Sequence, residues 1–215
     1  MKRIFLALLV FFGLNLSSMA YDNVMPEKTC LKFTNTVGLY QASDKIVLHK
    51  EPSEESDVVM AIRWNRNGVI PETLDFDDVF VVYMPSRYLA LMAVTDETED
   101  WVEVIYNNNT GDRGWMKQDD PYKFSTWVMF YNMYGRKYGL KILKGAPDII
   151  KDLKAQPDDK AQTIARVNIP TKINLTVIRG NWALVSVMDL DKTPKTGYIR
   201  WRGDDGVKYL FPNIK

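Results

Sequence analysis

Thiol–imidazole chemistry is the first that the residue types invite, because the 215-residue chain has one cysteine, Cys30, and one histidine, His49. A nucleophilic thiolate needs an imidazole within reach to take its proton. No peptidase motif surrounds either residue, so Cys30 reads as a small, partly buried side chain and His49 as an ordinary strand or turn residue. Serine hydrolysis would depend on the same His49, and no Gly-x-Ser-x-Gly elbow is present. One histidine and one cysteine fall short of the usual zinc sets, and no glycine-rich phosphate loop occurs. Acidic chemistry remains, in Glu72, Asp75, Asp77 and Asp78. Glycosidases work with two carboxyl groups, but closeness in sequence does not set their separation across a sugar cleft. The group reads as a solvated loop, with weak calcium binding or acid–base catalysis as alternatives. The chain is therefore expected not to be an enzyme and to need no metal or cofactor.

Whatever positions these residues must first survive in a compartment. Lys2 and Arg3 precede an apolar run from Ile4 to Leu16 broken only by Gly13 and Asn15, and Ser18-Met19-Ala20 follows with small residues where a signal peptidase reads. This pattern predicts a signal peptide over residues 1–20, cleaved after Ala20. The run is short for a membrane span, and nothing later is apolar enough to be one. Loss of Lys2 and Arg3 takes the formal charge from +1 to about −1, which gives no general field for nucleic acid or anionic lipid. A lone cysteine also excludes an intramolecular disulfide, so an exported chain must be held by packing. The expected location is the periplasm or the extracellular space.

The next signal is an internal repeat. Leu48, Pro52 and Val59 in Leu48–Val59 match Leu153, Pro157 and Ile164 at an offset of 105. Pro85-Ser86-Arg87 matches Pro170-Thr171-Lys172, Trp101-Val102-Glu103-Val104 matches Trp182-Ala183-Leu184-Val185, and Gly114-Trp115-Met116-Lys117 matches Gly197-Tyr198-Ile199-Arg200. The offsets of these three are 85, 81 and 83. They predict an insertion near residues 63–84 and four further residues in the acidic turn Thr95–Asp100. Two-residue alternation from Trp101 and from Trp182 predicts strands with differently covered faces. Short strands of this kind are most simply buried in a small twisted sheet that curls on itself.

The proline turn, the tryptophan strand and the Gly114-Trp115-Met116-Lys117 motif together resemble the bacterial SH3-like (SH3b) domain family. The run through Trp182 and Gly197-Tyr198-Ile199-Arg200 resembles a second, diverged copy. The resemblance covers about residues 37–119 and 145–212. It implies a mainly β protein of two small SH3-like barrels, acting as binding or targeting modules for cell-wall peptide or another protein. The long insertion and Tyr198, where a tryptophan is usual, depart from the pattern. The organisation expected is an N-terminal segment 21–36, a first domain 37–119, a connecting helix and linker 120–144, and a second domain 145–215.

In the connection, Phe124, Trp127, Phe130, Tyr131, Tyr134 and Tyr138 recur at spacings of three and four. That spacing puts their rings on one broad helical face. Asp120 as cap, Pro121 in the first turn and Gly139 at the end predict an amphipathic helix from about Pro121 to Tyr138. Its aromatic face is expected to pack against one or both barrels.

Trp101 and Trp182 open strands and read as structural. Trp115 and Tyr198 follow the motif glycines near a barrel edge, and Trp201 lies between Arg200 and Arg202. Trp115, Tyr198, Arg200 and Trp201 are therefore the candidate ligand-binding residues, since arginine beside an aromatic surface can hold a peptide carboxylate. The function expected is a non-catalytic exported binding module, with a cell-wall peptide or envelope protein as partner and no nucleic acid. The alternatives are an envelope interaction subunit whose grooves are covered by its own helix and insertion, and a carboxylate-dependent cell-wall hydrolase.

Overall fold

Alternating apolar and polar side chains dominate the chain, and it folds mainly into antiparallel strands. The computed structural model describes residues 34–214 apart from 66, 72, 121–122, 168–171 and 190–191. The expected signal peptide and its cleavage point, Cys30, Glu72, Pro121 and the Pro170-Thr171 match lie outside the described residues.

The first sheet has nine strands: β1 (Gly38–Gln41), β2 (Lys45–His49), β3 (Val58–Asn65), β4 (Gly68–Ile70), β5 (Val82–Met84), β6 (Leu89–Glu97), β7 (Trp101–Asn107), β8 (Asp112–Lys117) and β9 (Phe124–Thr126). Their order is β4-β3-β2-β8-β7-β6-β1-β9, with β5 also on β6. Strands β10 (Leu140–Ile142) and β16 (Leu210–Pro212) pair with each other. The remaining five, β11 (Asp152–Lys154), β12 (Thr163–Arg166), β13 (Asn174–Arg179), β14 (Trp182–Met188) and β15 (Pro194–Arg200), form a sheet ordered β12-β11-β15-β14-β13.

The expectation of two SH3-like barrels is corrected here. The protein is mainly β, but its three sheets are open. In the first sheet β1 pairs the edge of β6 that closure onto β3 would require, and β9 then extends β1. At the end of the second sheet the connecting helix packs on β13, with Arg136 Nε donating to the Thr176 carbonyl at 2.8 Å. An edge occupied in this way has no need to close on itself.

The helix is also shorter than its spacing predicts. Phe124 belongs to β9, and the helix begins at Trp127, with the Thr126 hydroxyl accepting from Met129 N at 3.2 Å. It runs continuously through Trp127–Phe130, a π turn at Tyr131–Gly135 and Arg136–Tyr138. Gly139, at φ 78°, ends it in a conformation that costs glycine little. Asp120 caps nothing in this helix, because β9 intervenes.

Strand order and register recur between the sheets. The run β3-β2-β8-β7-β6 has the same order as β12-β11-β15-β14-β13. Trp101 faces Lys117 and Glu103 faces Trp115, as Trp182 faces Arg200 and Leu184 faces Tyr198. The turns after β2 and β11 share a hydrogen bond, Lys50 N to Asp57 O and Ala155 N to Gln162 O, each 2.9 Å. One insertion is relocated by this register. Val94 faces Val104 and Glu97 faces Val102, while Leu175 faces Val185 and Ile178 faces Ala183. The offset of 81 therefore already holds at Val94, and the acidic turn before Trp101 is no longer than its counterpart. The extra residues precede Val94.

Two apolar clusters hold these elements. One lies within the first sheet around Tyr40, Leu48, Trp64, Met92 and Val104. The insertion covers part of it: helix α1 (Phe76–Val79) and β5 bring Phe80 and Tyr83 against Trp64, with centroids 6.0 and 5.8 Å away, and Phe76 stacks on Tyr83. The other is continuous from Leu39, Leu91 and Ala93 of the first sheet, through Trp127, Phe130 and Tyr131, to Leu153, Val185 and Ile199 of the second. Each large side chain so buried contributes about 1.5–3 kcal/mol. No helix among the described residues is long and apolar enough to cross a membrane.

Candidate functional site

Trp201 is wholly buried, at 0% exposure, and its Nε1 donates to Gly180 O at 2.9 Å. Its ring centroid lies 4.4 Å from that of Tyr131 on the connecting helix. This ring is therefore part of the core between helix and sheet and offers no groove surface. Trp115 and Tyr198 are half-buried at matching positions of different sheets, so no single groove gathers them.

Arg200 shares a face of β15 with Tyr198, two residues away, and is held from three sides. Its Nη2 donates to Asp159 at 2.6 Å, its Nη1 to Asp204 at 3.0 Å, and its guanidinium stacks 5.0 Å over the Trp182 ring. Hydrogen bonding to Arg200 holds the Asp159 and Asp204 carboxyls below their usual range. A ligand carboxylate would have to displace these partners. In the first sheet the corresponding cation is Lys117, which bridges Glu54 at 2.5 Å. The turn carboxylates Glu54 and Asp159 again stand 105 residues apart, so this ion pair joins turn to strand in both sheets.

His49 is held in place by the fold. Its Nδ1 donates to the Ser56 carbonyl at 2.9 Å, and its ring meets Trp101 edge-on at 5.6 Å. The described acidic residues buttress a turn: Asp75 N donates to Asp78 Oδ2 at 3.1 Å, and the carbonyls of Asp77 and Asp78 accept from Asn108 Nδ2 and N at 3.0 and 2.6 Å. Among the described residues no group of three or more His, Cys, Asp or Glu side chains could hold a metal ion.

One ionisable residue escaped the sequence reading. Lys208 is 1% exposed, with its Nζ 4.4 Å over the Trp127 ring and 3.4 Å from Thr36 Oγ1. Burial, with the nearby Arg202 charge, lowers its pKa to about 7. Trp127 Nε1 donates to Thr36 Oγ1 at 3.0 Å, so Lys208, Trp127 and Thr36 form one contact between the C-terminal hairpin, the helix and the segment before β1. The apolar Tyr209-Leu210-Phe211 run beside Lys208 is the only sequence signal, and surface lysines often have such neighbours. No protein-family model matches this chain, and no curated protein matches it either.

Proposed function

We propose that the chain is a non-catalytic, exported interaction subunit of the cell envelope, working through its outer surface. One observation carries this reading: most of the aromatic side chains that a ligand groove would need lie inside the fold, and the half-buried Trp115 and Tyr198 stand on separate sheets. Trp201 is fully buried, Trp101 and Trp182 are 9% exposed, and Trp127, Phe130 and Tyr131 lie between the sheets. The insertion adds Phe80 and Tyr83 against Trp64. The connecting helix meanwhile turns Met129 and Met133, 54% and 56% exposed and one turn apart, outward with Val128. Flexible thioethers suit a surface that must fit a partner.

The test is in-cell crosslinking of the parent and of the Met129→Asp/Met133→Asp variant, followed by purification of the envelope fraction. A stoichiometric protein partner that is lost in the variant, with an unchanged melting curve, is the expected result. Sedimentation with purified peptidoglycan and no protein adduct would sink the reading in favour of a cell-wall ligand.

A further inference from the structure

The segment 34–36, the turn joining β7 to β8, and Thr95 of β6 line an open pocket of about 290 Å³. That lies just below the ~300–1,000 Å³ range of small-ligand sites. Its described lining is mostly threonine and asparagine, including Thr95, Asn108 and Asn109. Arg113 is the single charged side chain there and the buried Ile105 the single large apolar one.

The wall is fixed before any ligand arrives. Asn108 is held through its backbone and side-chain amides by the carbonyls of Asp78 and Asp77, and the Asn109 amide donates to the Asp78 carboxylate. The insertion thus holds the turn that lines the pocket. Hydrogen-bonding capacity within a ligand's reach remains on two groups. Asn108 Oδ1 accepts from no described residue, but it is closed off from solvent and belongs to the wall. The Thr95 hydroxyl donates to Glu103 Oε2 at 2.5 Å, which leaves its oxygen able to accept. Arg113 approaches Glu103 only to 3.8 Å, so most of its five N–H donors face no acceptor at hydrogen-bonding distance there.

This chemistry excludes several ligands. Among the described lining residues there is no carboxylate to hold a cation. One guanidinium already near a carboxylate is a poor phosphate site, and a single isoleucine gives little surface for an apolar guest. A small molecule that both donates and accepts repeatedly does fit. We propose that this pocket binds a hydroxylated ligand of the saccharide class, one or two sugar units in size, through Thr95 and Arg113. The inference does not rest on the interaction surface proposed above.

The test uses backbone amide NMR of the full chain titrated with glucose, galactose, N-acetylglucosamine and cellobiose. At least one sugar is expected to shift the amides of Thr95, Asn109, Gly111 and Arg113 at millimolar concentration. Thr95→Val keeps the side-chain shape and Arg113→Gln alters an exposed group, and each should weaken that binding about tenfold, as for one lost hydrogen bond. The proposal is overturned if no sugar moves these amides at high millimolar concentration. It is equally overturned if short peptides move them where sugars do not, or if folded Arg113→Gln binds like the parent.

Discussion

Gly114 and Gly197 occupy the same crossing in their respective sheets. A Cβ on Gly114 would stand 2.9 Å from Leu48 Cβ and 3.0 Å from Val59 Cγ2, and one on Gly197 would stand 2.9 Å from both Leu153 Cγ and Ile164 Cδ1. Leu48 and Leu153, like Val59 and Ile164, are 105 residues apart. Each glycine therefore lets its strand press onto the same leucine and the same β-branched residue of the neighbouring hairpin.

Alanine at either position should destabilise through overpacking, by about 1–3 kcal/mol. Gly197→Ala should cost more, because the nearest atom there is a backbone oxygen, Lys154 O at 2.6 Å. Gly111 is the control: at φ 79° with no neighbour within 4 Å, alanine there meets only the backbone penalty of about 1–2 kcal/mol. Urea unfolding of the three variants checks the order, and equal costs at all three sites would refute the crossing argument.

Trp127 links helix, N-terminal segment and C-terminal hairpin, so Trp127→Ala should cost about 3–5 kcal/mol. Because one apolar cluster spans both sheets, the parent should unfold in a single transition. Calorimetry and fluorescence followed in parallel decide it. Two separated transitions in the parent would mean that the sheets unfold independently.

Strand pattern, turn positions and the glycine motifs were legible because they are local and periodic. Trp101 and Trp182 face Lys117 and Arg200 in the same register because the same short signals specify the same hairpin. Closure was not legible. It depends on which strand takes the outer edge of β6, and that strand, β1, lies more than forty residues upstream with no pattern naming its partner. The helix start was misplaced because Phe124 continues the helical spacing while its backbone pairs with Tyr40. The burial of Trp201 was not legible for a related reason: its charged neighbours Arg200 and Arg202 suggest a surface position, while the distant Tyr131 covers its ring.

Export makes a prediction of its own. The charged start, apolar run and Ser18-Met19-Ala20 ending call for a mature N-terminus at Tyr21. Intact-mass analysis of protein recovered from the envelope fraction measures this directly. A chain that retains Met1 would remove the basis for an exported role.

Lys208 should give the stability a distinctive pH dependence. Its ordinary pKa of 10.5 applies in the unfolded chain, and burial lowers it to about 7 in the folded one. Between these values the unfolded state binds more protons, so stability must rise with pH from about 7 upward. Below about 7 both states are protonated and the cost of the buried charge is fully present. Of the described groups around the amine, Arg202 repels the charge, while Thr36 and the Trp127 ring do not titrate in this range. Above about 10 the trend should turn over, because burial raises the phenols of Tyr40 and Tyr131 and the folded state then resists their ionisation. Urea unfolding between about pH 6 and 9 should show a gain on the order of a few kcal/mol. Lys208→Met keeps the stem packed against Trp127 and removes the amine, so its profile should be flatter and its stability at neutral pH at least equal to the parent's. A parent profile that is flat over this window, or a Lys208→Met profile of equal slope, would show that the amine stays charged in the folded protein.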